Sequence, residues 1–238
     1  MADAHRFLSQ TFLQIMLDRR YLPLSDFRAL VHALNQKYDY DLSLDHDADL
    51  LEFINKLNPT LTSLHLKLSQ SIDEEKGHRV LVLCNTLSSE LSRNPTFNDQ
   101  QMALFRQIVT AIVESVDGIL DLEQAESAVV DIPNCTLSAQ QAKNTVQQLI
   151  KQKYLRCSND VVTLTPSALS ELQPYIAATM PDQVSNCFGC NSLCLQGERC
   201  PGSQCKGRVH KHCAPTVFQR KKACRLCKGP WGSEVFSQ

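Results

Sequence analysis

The feature that most constrains this chain is a register of cysteines and one histidine towards its C-terminal end. Cys187, Cys190, Cys200, Cys205, His210, Cys213, Cys224 and Cys227 follow the pattern C-x2-C-x9-C-x4-C-x4-H-x2-C-x10-C-x2-C. Two residues between the members of a pair let both side chains reach one tetrahedral ion without straining the turn between them. Thiolates with an occasional imidazole suit zinc, and closed four-coordinate sites of this kind are structural. Eight ligands predict two zinc ions, whose binding supplies most of the folding energy of so short a segment. Cys194 breaks the pairing, and His212 adjoins Cys213. Neighbouring residues on a short loop rarely point at one ion, so His210 is the expected ligand, with Cys194 and His212 outside the register.

A chain of 238 residues has room for two or three small domains, and 43% hydrophobic with 21% charged residues is ordinary for a folded protein. No apolar run is long enough to span a bilayer, so no membrane association is expected. The first twenty or so residues are an interrupted amphipathic pattern rather than a signal peptide. Reduced, metal-binding cysteines in an intracellular protein are therefore expected, not disulfides. Residues 186–238 carry nine Lys/Arg against Glu198 and Glu234, a formal +7, which leaves −8 on residues 1–185. Two zinc ions and seven thiolates would bring the tail to about +4. An acidic body makes a poor stand-alone DNA binder, because that affinity comes mostly from neutralised phosphates.

Along the body, the apolar spacing predicts helices. Leu8, Phe12 and Ile15 mark the first, over Ala4–Asp18, and Arg19–Leu24 breaks it. Ser25 is a plausible N-cap for the second, which carries Phe27, Leu30, Val31 and Leu34. A third carries Leu50, Phe53, Ile54 and Leu57 and is expected to stop at Asn58-Pro59. Alternating Leu64, Leu66 and Leu68, a polar turn and the strand Arg79–Cys84 then read as a β-hairpin. After a break at Asn94-Pro95 the order recurs. A helix carries Phe105, Ile108, Val109 and Ile112, a short strand covers Ile119-Leu120, and a second helix runs over Asp121–Val130. Ser138 and Gln141 form a capping box for the third helix. Tyr154–Cys157 and Val161–Leu164 make a second hairpin, and Thr165-Pro166 opens a closing helix with Leu169, Leu172 and Ile176.

Three helices and a two-stranded wing are the winged-helix form of helix-turn-helix. The expected fold class is mainly α with small β-hairpins (α+β). Winged-helix domains over 1–92 and 93–180 precede a zinc-binding module over 181–238. Asp45, Asp47, Asp49 and Glu52 line the third helix of the first unit, where they would repel phosphates. Lys143, Lys151, Lys153 and Arg156 on the second allow weak backbone contacts at most, so both units read as protein-docking platforms. Cys84, Cys135 and Cys157, in apolar surroundings, read as buried structural thiols.

The C4-H-C3 order of the tail resembles two cross-braced families, RING-type and PHD-type fingers. In the cross-brace Cys187, Cys190, His210 and Cys213 share one ion, and Cys200, Cys205, Cys224 and Cys227 the other. PHD fingers read histone tails and commonly place a Trp two residues before the seventh ligand, where this chain has Lys222. Trp231 lies beyond the last ligand, which argues against a methyl-lysine cage. A RING finger recruits a ubiquitin-charged conjugating enzyme and accelerates transfer by restricting orientation, with no covalent intermediate and no catalytic residue of its own. The resemblance implies contacts from Phe188 inside the first pair, Leu226 near the last pair and Lys228 past the final ligand. Arg225 stands where many active RINGs have Pro, which implies weak or partner-dependent activity.

Taken with the two winged helices, the stretches NCFGCNSLCLQGERC and GRVHKHC and the strand HRVLVLCNT resemble the non-SMC element one family, RING-type subunits of the SMC five–six chromosome-maintenance complex. The resemblance spans essentially the whole chain. It departs at Cys200 to Cys205, where x4 replaces the more frequent x2. It implies a MAGE-type partner docked on the winged helices, a kleisin subunit, a ubiquitin-conjugating enzyme on the RING, and DNA held weakly or through the assembled subcomplex. It further implies DNA repair by homologous recombination in the nucleus, on chromosomes. A purely architectural subunit and a PHD-like histone-tail reader remain open at this point.

Overall fold

The computed structural model describes residues 2–86, 96–219 and 222–231. The expected Asn94-Pro95 break lies outside them. Helix α1 (Ala2–Arg19), strand β1 (Tyr21–Pro23), α2 (Leu24–Tyr38), α3 (Asp47–Thr62) and the hairpin β2 (Leu66–Ile72) and β3 (Arg79–Asn85) form the first winged helix. α4 (Asp99–Glu114), β4 (Leu120–Asp121), α5 (Leu122–Ser127), a 3₁₀ turn over Ala128–Asp131, α6 (Ala139–Lys151), β5 (Leu155–Ser158) and β6 (Val161–Leu164) repeat that order. The repeat extends to the sheets, which are antiparallel with orders β1-β3-β2 and β4-β6-β5. Helix α7 (Pro166–Thr179) follows, then β7 (Gly197–Arg199), β8 (Arg208–His210) and the single turn α8 (Ala214–Val217) of the tail. No helix among the described residues is long and apolar enough to cross a membrane.

These residues fall into two compact units. The first gathers the chain up to Asp73, the segment from His78 that holds β3, and Pro166–Glu171; the second gathers Glu74–Gly77 with the remainder. In the first, the helical spacing of Leu8, Phe12, Phe27, Val31, Leu50, Phe53 and Ile54 turns them inward, where all are buried. Phe12, Phe27 and Phe53 form a mutual cluster with ring centroids 5.0 to 5.7 Å apart. On the same basis Phe105, Ile108, Val109, Val146, Leu149 and Val162 are buried in the second unit. The Ser138–Gln141 capping box forms, each partner satisfying the other's backbone N–H. Thr165-Pro166 opens α7 as the fixed φ of proline at a first helical position favours.

Five local expectations are corrected. Arg19–Leu24 is not only a break: Tyr21–Pro23 is a strand on the sheet edge, where the missing N–H of Pro23 costs no ladder bond. Helix α2 begins at Leu24 with Pro23 as its N-cap, and Ser25, already inside the first turn, bonds the Asp26 carboxylate at 3.2 Å. Helix α3 runs through Pro59 to Thr62, because the Thr62 and Ser63 hydroxyls bond the carbonyls of Asn58 and Thr60 at 2.8 and 2.7 Å and close the final turn. Leu64 lies in that closing turn and is 63% exposed. Finally, Cys84 is buried, whereas Cys135 and Cys157 are only half-buried. Burial, helped by the nearby Glu171 charge, pushes the Cys84 thiol up to about 12, so it stays protonated and inert.

Candidate metal centre

The tail folds as two knuckles threaded through each other. In the first, the N–H of Asn191 returns to the carbonyl of Cys187 at 2.9 Å, and Asn191 takes φ 61°. In the second, the N–H of Lys228 returns to the carbonyl of Cys224 at 3.1 Å, and Lys228 takes φ 63°. Each turn aims a backbone N–H at the leading sulfur: Gly189 on Cys187 at 3.2 Å and Leu226 on Cys224 at 3.4 Å. The N–H of Gly202 does the same for Cys200 at 3.5 Å. Such donors stabilise thiolate charge.

The knuckles bring together Cys187, Cys190, His210 and Cys213 in one quartet and Cys200, Cys205, Cys224 and Cys227 in another, the ligand atoms of each lying within 4.8 Å of one another. Pairs one and three therefore share one site and pairs two and four the other. The Sγ of Cys190 lies 3.3 Å from Nδ1 of His210, and the Cys200–Cys227 and Cys205–Cys224 sulfurs are 3.5 Å apart. Zinc–sulfur bonds of about 2.3 Å at tetrahedral angles place sulfurs about 3.8 Å apart, so both donor sets fit zinc. All eleven cysteines are free of disulfides.

The electrostatics of the two quartets are mixed: burial pushes the Cys200 thiol up to about 12 and the Cys213 thiol up to about 11. Burial raises the Cys187 pKa, but N–H donors, including those of His210 and Gly189, outweigh it and bring the thiol down to about 7. The Gly207 N–H lowers Cys205 to about 7 as well. Burial opposes charge on His210, yet hydrogen bonds to Cys194 and Glu74 outweigh it and raise its pKa to about 12.

Residues outside the register have other places. His212 joins neither quartet; its ring stacks on His210 with centroids 4.9 Å apart. Both its ring nitrogens are buried, with no hydrogen-bond partner among the described residues. Cys194 is fully buried and closes a third group with Glu74 and His210. Glu74 was missed by sequence reasoning, which saw only a polar hairpin turn, because nothing local marks a carboxylate that acts 136 residues away.

Of the three residues expected to meet a conjugating enzyme, Leu226 is 60% exposed and Lys228 is exposed. Phe188 is half-buried, packed edge-on to Trp231 at 6.1 Å. Trp231 is only 3% exposed and packs on Phe218 at 4.8 Å, so it anchors the module's core and forms no open aromatic cage. Arg225 donates to the carbonyl of Phe188 at 2.7 Å, tying the second knuckle to the first, and Lys228 Nζ donates to the carbonyl of Arg225 at 2.7 Å.

Comparison with known proteins agrees with this arrangement. Residues 9–132 match the family model described as "Nse1 non-SMC component of SMC5-6 complex", and residues 187–227 match one described as "RING-like domain". The Homo sapiens "Non-structural maintenance of chromosomes element 1 homolog" is 27% identical over 238 residues, 99% of this chain and 86% of its own length. The Schizosaccharomyces pombe "Non-structural maintenance of chromosomes element 1" is 21% identical over 234 residues, 98% of this chain and 94% of its own. A chain of a solved "Nse1-Nse3-Nse4 complex" superposes with a TM-score of 0.81 at 22% identity, covering 97% of both, and so shares the fold. With its element order, its interleaved quartets and these matches together, the chain belongs to the Nse1 family of non-SMC components of the SMC5-6 complex and carries a RING-like domain.

Proposed function

We propose that this chain is a RING-type ubiquitin ligase subunit whose activity depends on a partner protein. Residues 1–92 and 93–180 would act as two docking modules and 181–238 as the RING. Zinc, two ions in this reading, supplies only structure: it fixes the two knuckles so that a conjugating enzyme meets a preset surface. The chain's own residues do the rest. Leu226 offers the apolar contact, and Lys228 stands beside it where a bound ubiquitin would be held against its conjugating enzyme. Transfer is accelerated by restricting the thioester to a reactive orientation, with no covalent intermediate on this chain.

The observation that carries this reading is the second knuckle, which presents an exposed Leu226 and Lys228 next to a quartet of zinc-compatible sulfurs. The partners we propose are those named with the structural neighbour: an Nse3-type (MAGE) subunit on the winged helices and an Nse4-type kleisin. The setting is recombinational DNA repair on nuclear chromosomes. Contact with DNA would be weak or made by the assembled subcomplex, since Lys143 is engaged by Glu126 at 3.3 Å and Arg156 by Glu75.

A second reading has an observation of its own. Phe188 is half-buried and its carbonyl is taken by Arg225, which favours an architectural subunit with a rigid, inactive RING. Single-turnover discharge of ubiquitin from a panel of charged conjugating enzymes separates the two. The ligase reading predicts discharge that needs the co-expressed partner and falls with Leu226→Ala and Lys228→Ala at unchanged zinc content. No discharge under any condition, with zinc retained, would establish the architectural reading instead.

A further inference from the structure

The turn between β2 and β3 places Glu74 against the RING-like tail. One carboxylate oxygen accepts the N–H of Leu195 and the other that of Gln196, each at 3.1 Å. The first oxygen also lies 2.7 Å from Nε2 of His210. The two side chains are 8% and 3% exposed, so the contact is shielded from solvent. Gly77 holds the turn in place: at φ 67° it packs so closely on His212 that a Cβ there would lie 2.8 Å from the His212 Cβ. Glu74 is thus presented in a fixed pose.

An imidazole that binds metal through Nδ1 keeps its remaining proton on Nε2. Once buried, that N–H needs an acceptor, which fixes both tautomer and ring orientation. The Leu193 carbonyl lies 3.2 Å from Nε2, but Glu74 is nearer and bears the charge that makes the ligand more basic. The geometry points to Glu74 as a positioning residue for the first zinc site. It holds His210 with Nδ1 facing Cys187, Cys190 and Cys213, although it lies outside the tail that supplies every ligand. This rests on the zinc reading above. One consequence is asymmetry: the quartet of Cys200, Cys205, Cys224 and Cys227 has no histidine and, among the described residues, no such carboxylate, so only one of the two sites should depend on the hairpin turn.

The test uses the full chain. Zinc per chain is measured first, and zinc release to a chromogenic chelator is then followed in wild type, Glu74→Ala, Glu74→Gln and Glu75→Ala. In Glu74→Ala one zinc should leave about 10- to 100-fold faster, with the other unchanged. Glu74→Gln, whose amide oxygen still accepts from Nε2 without the charge, should fall between, and Glu75→Ala should match wild type. A long-range ¹H–¹⁵N spectrum of the zinc-loaded protein should show a protected His210 Nε2–H that is lost in Glu74→Ala. If Glu74→Ala does not fold, Glu74→Gln decides. Two zincs released at wild-type rates from the decisive variant, or equal acceleration by Glu75→Ala, would overturn the role of Glu74 alone. A wild-type chain holding no zinc would overturn the zinc reading and this inference with it.

Discussion

The side chain of Asn58 gives a perturbation whose sign separates two accounts of the same residue. β2 is the outer strand of the first sheet, and Leu68 on it faces Leu83 on β3. The N–H of Leu83 goes instead to the carbonyl of Arg20 at 2.8 Å, on the side of β1. Leu68 and Leu83 are therefore a non-hydrogen-bonded pair, and Leu68 turns both its backbone groups to the sheet edge. Asn58, near the end of α3, meets both: its Nδ2 donates to the Leu68 carbonyl at 3.0 Å, and its Oδ1 accepts the Leu68 N–H at 2.8 Å. Removing the amide with Asn58→Ala deletes two bonds worth about 1 kcal/mol each, and leaves two half-buried backbone groups to find water or go unpaired. The expected loss is about 2–4 kcal/mol. At roughly 2–4 °C per kcal/mol for a chain of this size, the melting temperature should fall by roughly 4–16 °C. Thermal unfolding followed by far-UV circular dichroism in zinc-containing buffer reads this directly. If Asn58 serves only to end a helix, alanine should leave stability unchanged or raise it by roughly 0.5 kcal/mol through better helix propensity. An unchanged or higher melting temperature would refute the edge-capping role.

The buried pair of Arg20 and Glu171 makes a further prediction, since their side chains are 18% and 6% exposed. Burial raises the Glu171 pKa and Arg20 lowers it, so Arg20→Met should raise it further. A carboxyl whose folded pKa exceeds its unfolded value weakens the native state as pH climbs from the unfolded value through the folded one. Arg20→Met should therefore cost about 3–5 kcal/mol at pH 8 and less at pH 6, and Arg20→Met with Glu171→Met should recover most of the loss. Urea unfolding at the two pH values checks both statements, and a cost that grows as pH falls would contradict them.

What the sequence disclosed follows from the range over which each signal acts. The apolar spacings of Phe12, Phe27, Leu50, Phe105 and Val146 are local and survive folding, so the helices and hairpins were legible, as was the capping pair Ser138 and Gln141. The spacing within each knuckle was legible because it is itself a local geometric requirement, whereas the interleaving of pairs one with three and two with four was implied only by the resemblance. Three-residue β1 was not, because Tyr21-Leu22-Pro23 is too short to show alternation and is a strand only through its pairing with β3. Pro59 misled for a related reason: it sits at the start of the last turn of α3, which the side chains of Thr62 and Ser63 close. Glu74 and Arg225 escaped because their partners, the Nε2 of His210 and the carbonyl of Phe188, are set by tertiary contact alone. The half-burial of Phe188 was hidden likewise, since only folding brings Trp231 back against the first knuckle.

The central claim is that the interleaved quartets are two zinc sites bracing one RING-like module. Native mass spectrometry of the full chain, with the single variants Cys190→Ser, Cys213→Ser and Cys227→Ser, tests it most directly. The account predicts two zincs in the wild-type chain and one in each variant. It also predicts that Cys190→Ser with Cys213→Ser still retains one zinc, because both remove ligands of the same ion, whereas Cys190→Ser with Cys227→Ser retains none. A wild-type chain without zinc would contradict the account, as would a Cys190→Ser, Cys213→Ser double variant that has lost both ions.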